Sequence, residues 1–262
     1  MFGFFDTYFL FFGLKISYYG FLIALGMLLG IIVACKTAKK RGLKSDDILL
    51  LACYVIPLSI LGARSYYCIF FGGVSSFWQF FKIWEGGMAI YGGIIGGAIA
   101  VTLFCLIHKK NFFDVADVAV PSLALGQCIG RIGCIFAGCC YGEQVTNPSL
   151  QFFPISMKID GVWHYATQFY ESISCLIIFI VFIILINKKV TTRGIMLSLY
   201  LICYGVTRFW IEALRGDSLY LGSVKVSQLL SGLIVVGGIV MLIIILVNKN
   251  KNKKLKTDEV KS

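Results

Sequence analysis

The sequence predicts an all-α protein, a polytopic membrane helical bundle of about seven transmembrane helices. Hydrophobic residues make up 58% of the chain and charged residues 14%, with a mean hydropathy of +0.86. A soluble domain carries roughly 45–50% apolar and about 25% charged residues, so this surplus of apolar surface requires lipid around it. We expect a single transmembrane catalytic domain over residues 1–248 and a basic cytoplasmic tail over 249–262.

Each predicted span is an apolar run close to the roughly 20 residues that cross a hydrocarbon core. The first run has no basic segment before it, so it predicts a span and not a cleavable signal peptide. In chain order the predicted spans are Ile16–Ala34, Ile48–Phe70, Met88–Leu106, Val115–Phe136, Phe169–Ile186, Ile195–Ile211 and Val226–Val247.

Positive charges alternate across these spans and predict the orientation. The loops after spans one, three and five, together with the tail, carry 16 lysine and arginine residues, against five in the other segments. Cytoplasmic loops hold the excess of such residues, so we expect the N-terminus outside and the C-terminus inside. The 16 are Lys36, Lys39, Lys40, Arg41, Lys44, Lys109, Lys110, Lys188, Lys189, Arg193, Lys249, Lys251, Lys253, Lys254, Lys256 and Lys261.

Three arginines, Arg64, Arg131 and Arg208, fall within or at the ends of predicted spans. Such a charge costs about 2.5–3.5 kcal/mol at a helix centre, so it needs a partner or a route to the interface. Glu212 lies four residues after Arg208 and predicts an ion pair on one helix face. No carboxylate lies within two turns of Arg131. Since guanidinium matches phosphate bidentately, Arg131 and Arg208 predict a phospholipid site in the outer half of the bundle.

The glycines of spans three and four, and the cysteines that follow Arg131, allow more than one interpretation. Small residues four apart let membrane helices pack closely, and they also let a headgroup approach the backbone. Cys134, Cys139 and Cys140 follow Arg131, but no second Cys or His pair stands at a spacing typical of zinc sites. We therefore predict no metal and no cofactor. Nucleic acid is excluded as a partner, because the positive charges fall in short loops between apolar runs.

Five segments, taken in order, resemble the prolipoprotein diacylglyceryl transferase family. The most specific contains Gly130-Arg131 and the glycines and cysteines after it. The resemblance runs from about residue 16 to 245, and the five segments in order, together with seven spans, make it specific. They are Tyr18–Gly20, Trp84–Gly93, Gly130–Gly142, Ala166–Glu171 and Tyr204–Arg215.

The resemblance implies a reaction in a bacterial cytoplasmic membrane. The diacylglyceryl group of phosphatidylglycerol would pass to the lipobox cysteine thiol in the signal peptide of a prolipoprotein, and glycerol phosphate would leave. The residues implied as catalytic are Arg208, Glu212, Tyr91 and His164. The residues implied in phosphatidylglycerol binding are Arg131, Tyr19, Gln168, Tyr170, Glu171 and Arg64.

Four positions depart from the family pattern. Tyr91 stands where the family has histidine, Cys134 where it has asparagine and Cys139 where it has glutamate, and Tyr165 takes a histidine position with His164 one residue earlier. The group that activates the thiol is therefore open. Two alternatives stay open as well: a paralogous enzyme that uses phosphatidylglycerol with another acceptor, and a non-enzymatic phospholipid binder.

Overall fold

A computed structural model of the chain describes residues 8–11, 14–72, 77–82, 86–188, 192–216, 220–221 and 224–259. Trp84 and Glu85, which belong to one of the family-like segments, lie outside the described residues. The same is true of Lys189 and Lys261, two of the residues that predict orientation.

Seven long helices confirm the predicted fold class, since each is long and apolar enough to cross a membrane. The protein is thus a multi-pass membrane protein, and its orientation stays a prediction. The eight α-helices of the described residues are α1 (Tyr18–Ala38), α2 (Ser45–Phe71), the short α3 (Phe77–Phe81), α4 (Ile90–Ile107), α5 (Phe112–Phe136), α6 (Thr167–Asn187), α7 (Ile195–Ala213) and α8 (Val226–Glu259).

The described residues form three antiparallel hairpins that the sequence did not predict, one before α1, one between α5 and α6, and one between α7 and α8. Within the second, Ser156 pairs with Tyr165, and Gln144 forms an additional bridge to His164. This hairpin therefore fixes the backbone just before α6. The strands are β1 (Tyr8–Phe11), β2 (Leu14–Ser17), β3 (Ser156–Ile159), β4 (Val162–Tyr165), β5 (Tyr220–Leu221) and β6 (Val224–Lys225).

The chain forms two compact units, one of residues 1–33 with 119–262 and one of residues 34–118. Inside the first unit, Ile178 and Phe182 of α6 pack with Tyr200 of α7 in a buried cluster. In the second, Phe104 of α4 packs with Ile48 of α2. Each unit thus has a core of its own, built from facing helices.

Within the 34–118 unit, glycines bring α2 and α4 into backbone contact. A Cβ atom added at Gly96 would lie 3.2 Å from the Cα of Ser59 and closer still to the backbone of Leu58. A Cβ atom at Gly62 would lie 3.1 Å from the Cα of Gly96. Of the two interpretations of the glycines in span three, the structure supports close helix packing.

Replacement of Gly96 with alanine is expected to destabilise the protein by about 1–3 kcal/mol, because the added methyl group meets backbone that cannot rotate away. The free energy of unfolding in detergent measures this effect. Gly237→Ala is the matched control, since nothing lies within 4 Å of a Cβ atom added at that helical glycine. Equal unfolding free energies for the two variants would contradict the packing role of Gly96.

Candidate active site

A carboxylate on α6, that of Glu171, joins arginines from two other helices. Oε2 of Glu171 lies 2.6 Å from Nη2 of Arg131 on α5, and Oε1 accepts a hydrogen bond from Nη1 of Arg208 on α7. Arg215, just after α7, places Nη1 3.7 Å from the same Oε1. Because the Glu171 side chain is only 6% exposed, these ion pairs lie away from water.

Glu212 forms a second carboxylate centre, one turn beyond Arg208. Its Oε2 lies 2.7 Å from Nη2 of Arg208, so the ion pair predicted from the four-residue spacing is confirmed. At the end of α7, Nζ of Lys225 donates to the carbonyl oxygens of Glu212 and Arg215 at 3.0 and 2.6 Å. This lysine thus donates to carbonyl oxygens at and just beyond the C-terminus of α7.

Arg131 has a carboxylate partner that its position in the sequence does not suggest. Glu171 lies 40 positions further along the chain, and among the described residues it is the only ion-pair partner of Arg131. A guanidinium offers five N–H donors, and one carboxylate shared with Arg208 engages few of them. With its side chain 18% exposed, Arg131 is placed to bind an anion in addition to Glu171.

The predicted site residues of α1 and α6 contact segments next to this ion-pair network. Tyr19 packs against α5, where its ring approaches to 3.2 Å of the position that a Cβ atom would take at Gly133. Gln168 is buried, and its Nε2 donates to the carbonyl oxygen of Cys139 at 2.8 Å. The hydroxyl of Tyr170 donates to the carbonyl oxygen of Ile155, so the described contact of Tyr170 holds the hairpin segment.

Arg64 and Tyr91 belong to the 34–118 unit. Arg64 is buried and donates to the carbonyl oxygens of Phe80 at 3.0 Å, Gly86 at 2.6 Å and Gly87 at 2.9 Å. These contacts fix the segment that precedes α4. Tyr91 is exposed, with its ring centroid 6.3 Å from that of Tyr66.

The C-terminus of α5 brings together the three cysteines for which the sequence spacing predicted no metal site. Gly138 adopts a φ of 61°, the N–H of Cys139 donates to the carbonyl of Cys134, and the N–H of Gly138 donates to the carbonyl of Ile135. This is a Schellman motif, in which the side chains of the first and last bonded residues meet. The sulfur atoms of Cys134, Cys139 and Cys140 all lie within 4.8 Å of one another.

Neighbouring thiols and guanidiniums act on the Cys140 thiol of this turn. The pKa of the Cys140 thiol is lowered, because Cys134 and Cys139 hydrogen-bond to its sulfur and because the guanidiniums of Arg215 and Arg131 attract its charged form. Cys140 thus lies close enough to the guanidiniums of the arginine network to interact with them electrostatically. The signal for this cluster in the sequence was Gly138, a glycine two residues beyond the last helical residue.

A cavity of about 560 Å³ opens beside the turn, and it is lined by Cys139, Cys140, Glu143 and His164 among others. Nδ1 of His164 lies 3.0 Å from the carbonyl oxygen of Gly142. A carbonyl oxygen only accepts hydrogen bonds, so Nδ1 carries the proton and a neutral His164 has its lone pair on Nε2. His164 therefore has the tautomer of a general base.

Comparisons with known proteins agree with the motifs. The model of the family described as prolipoprotein diacylglyceryl transferase matches residues 7–244. The phosphatidylglycerol–prolipoprotein diacylglyceryl transferase of Finegoldia magna is 38% identical over 250 residues, covering 95% of this chain and 96% of the relative. Phosphatidylglycerol–prolipoprotein diacylglyceryl transferase 1 of Clostridium perfringens is 38% identical over 246 residues, covering 92% of this chain and 94% of the relative. One from Clostridium botulinum strain Loch Maree is 39% identical over 247 residues, covering 92% and 95%. The chain belongs to the prolipoprotein diacylglyceryl transferase family.

Proposed function

We propose that this protein transfers the diacylglyceryl group of phosphatidylglycerol to the lipobox cysteine thiol of a prolipoprotein, with release of glycerol phosphate, in a bacterial cytoplasmic membrane. The observation that carries the proposal is the pair of guanidiniums of Arg131 and Arg208 held on the single buried carboxylate of Glu171. The names of the relatives, which state both substrates, support it.

The arginine pair suits the lipid donor. A phosphodiester carries one negative charge and acceptor oxygens that match the guanidinium fork. As the bond between the glyceryl carbon and the phosphate oxygen breaks, negative charge grows on the leaving phosphate. Donors already fixed in place stabilise that charge in the transition state. In this proposal Glu171 and Glu212 orient the arginines, and Tyr19 and Gln168 line the site.

The acceptor thiol is assigned to the cavity beside the α5 turn. His164 lines this cavity, and its Nε2 lone pair accepts the thiol proton so that the sulfur attacks as a thiolate. The predicted orientation places this segment outside, where a prolipoprotein signal peptide would present its lipobox cysteine.

The test of the function uses the full chain in vesicles that contain phosphatidylglycerol, with a lipobox peptide as acceptor. Mass spectrometry is expected to find the peptide heavier by one diacylglyceryl group and one glycerol phosphate released for each adduct. A peptide with serine in place of cysteine, and vesicles of phosphatidylethanolamine alone, should give neither product. Consumption of phosphatidylglycerol without a peptide adduct would overturn the assignment of the acceptor. Phosphatidylglycerol that binds to the protein and stays unreacted would instead indicate a non-enzymatic phospholipid-binding protein.

His164→Gln is expected to reduce transfer by about 10²-fold, because glutamine keeps a polar side chain at the cavity but cannot accept the thiol proton. Initial rates in the same vesicles measure the effect. His108→Gln is the matched control, since His108 lies at the end of α4 in the other compact unit. Transfer unchanged by His164→Gln would remove this residue from the proposed mechanism.

A further inference from the structure

We propose that Cys134, Cys139 and Cys140 bind one zinc ion whose fourth coordination position takes the acceptor thiolate. The metal site stands on the geometry of the three cysteines alone. The catalytic role of the ion rests on the function proposed above. The ion would activate the acceptor thiol, a task for which the sequence indicated no clear residue.

The three sulfurs are close to the arrangement that zinc requires. Zn–S bonds of about 2.3 Å at tetrahedral angles place sulfur atoms about 3.8 Å apart. Since the three sulfur atoms lie within 4.8 Å of one another, small side-chain rotations would bring all of them to bonding distance of one ion. Soft thiolate ligands select zinc over hard cations such as magnesium and calcium.

The backbone that carries these cysteines is fixed by its neighbours. The Schellman motif joins Cys139 to Cys134 at the end of α5. From the start of α6, the hydroxyl of Thr167 donates to the carbonyl of Cys140 and Nε2 of Gln168 donates to that of Cys139, both at 2.8 Å. Outer contacts of this kind orient the ligands of metal sites.

The cluster is closed on one side and open on the other. Cys134 is buried, whereas Cys139 and Cys140 line the cavity of about 560 Å³ that also contains His164. Three protein ligands with one position open to a cavity is the pattern of a catalytic zinc site, while a structural site has four protein ligands. A thiol that enters the cavity therefore meets the open position.

The acceptor sulfur on the zinc ion would lie close to the lipid phosphate bound by Arg131. Arg131 precedes Cys134 by three residues, or about 4.5 Å along the helix axis. A thiol that binds zinc loses its proton, here to His164 and then to water. The bound sulfur attacks the glyceryl carbon, the C–S bond forms, and the C–O bond breaks with its electron pair on the departing glycerol phosphate.

The charge of the zinc site separates its proposed role in thiol activation from the binding of phosphatidylglycerol. Zinc with three thiolates carries one formal negative charge, and the guanidiniums of Arg131 and Arg215 attract it. Removal of the ion leaves the guanidiniums that bind the lipid phosphate in place. Phosphatidylglycerol binding should therefore be retained without the metal, while transfer is lost.

The experiment measures zinc in the full chain, purified through a tag without histidine. About one zinc ion per chain is expected from elemental mass spectrometry, with at least a 10-fold loss in Cys134→Ser, Cys139→Ser and Cys140→Ser. Cys203→Ser is the matched control, because Cys203 is an exposed free thiol on α7. In protein substituted with cobalt, addition of the lipobox peptide should increase the thiolate-to-metal charge-transfer absorption. The serine-containing peptide should leave it unchanged.

Chelation and restoration separate this inference from the proposed function. Chelated protein should lose at least 10-fold in transfer, retain phosphatidylglycerol and recover with added zinc. Full transfer by zinc-free protein would overturn the catalytic role of the ion. A disulfide among the three cysteines, or stoichiometric copper or iron in place of zinc, would overturn the zinc site itself. Zinc bound by the three cysteines in a protein without transferase activity would refute the proposed function and leave the metal site standing.

Discussion

Arg131→Gln is expected to reduce diacylglyceryl transfer by about 10³-fold, the effect of removing an arginine that stabilises charge on a transferring phosphate. Glutamine fills a similar space but carries no charge to bind the phosphodiester. Single-turnover rates in phosphatidylglycerol vesicles separate this loss of transition-state stabilisation from weaker lipid binding.

Two further variants test whether the geometry or only the charge of Arg131 matters. Arg131→Lys should give an intermediate rate, because an ammonium group supplies the charge without the planar fork. Arg193→Gln is the matched control, since Arg193 is exposed in the turn before α7. Wild-type rates in Arg131→Gln would contradict the proposed role in phosphate binding.

Glu171→Gln is expected to lower the free energy of unfolding by about 3–5 kcal/mol, in addition to a loss of transfer. Breaking a buried ion pair leaves an uncompensated charge, and here the guanidiniums of Arg131 and Arg208 would face each other across a neutral amide. Unfolding in detergent measures the loss. Glu143→Gln should change stability by less than about 1 kcal/mol, because the Glu143 side chain is 56% exposed.

A double mutant tests the same network from the other direction. Adding Arg131→Gln to Glu171→Gln removes one of the opposed cations, so part of the lost stability should return. The coupling energy from the four proteins in this cycle should exceed about 0.5 kcal/mol. Strictly additive effects would show that the 2.6 Å contact between Arg131 and Glu171 does not stabilise the fold.

Hydropathy predicted the helices well and their ends less well. The predicted span Ile195–Ile211 differs from α7 by two residues, whereas α8 continues to Glu259, beyond the predicted end at Val247. Apolar residues show where lipid ends, and the polar run after Val247 keeps enough helix propensity to continue the helix. The β3–β4 hairpin was not predicted, since four-residue strands leave little pattern in a sequence.

Among the site residues, contacts within one helix could be predicted from the sequence, whereas contacts between helices could not. The pair of Arg208 and Glu212 follows from a spacing of four on one helix. The pair of Arg131 and Glu171 joins two helices, and no spacing rule predicts such a contact from a single sequence. The cysteine cluster is local but depends on the positive φ of Gly138, which reverses the chain after α5. Ligand-spacing rules for zinc sites do not include that turn.

The position of Glu171 also has a consequence for motion. One carboxylate on α6 binds arginines of α5 and α7, so separating α6 from either of them would break a buried ion pair. Amides of these three helices near the network should therefore exchange with deuterium only through openings of high free energy. Passage of lipid into and out of the site would then involve rearrangement of other segments, while α5, α6 and α7 remain a rigid frame.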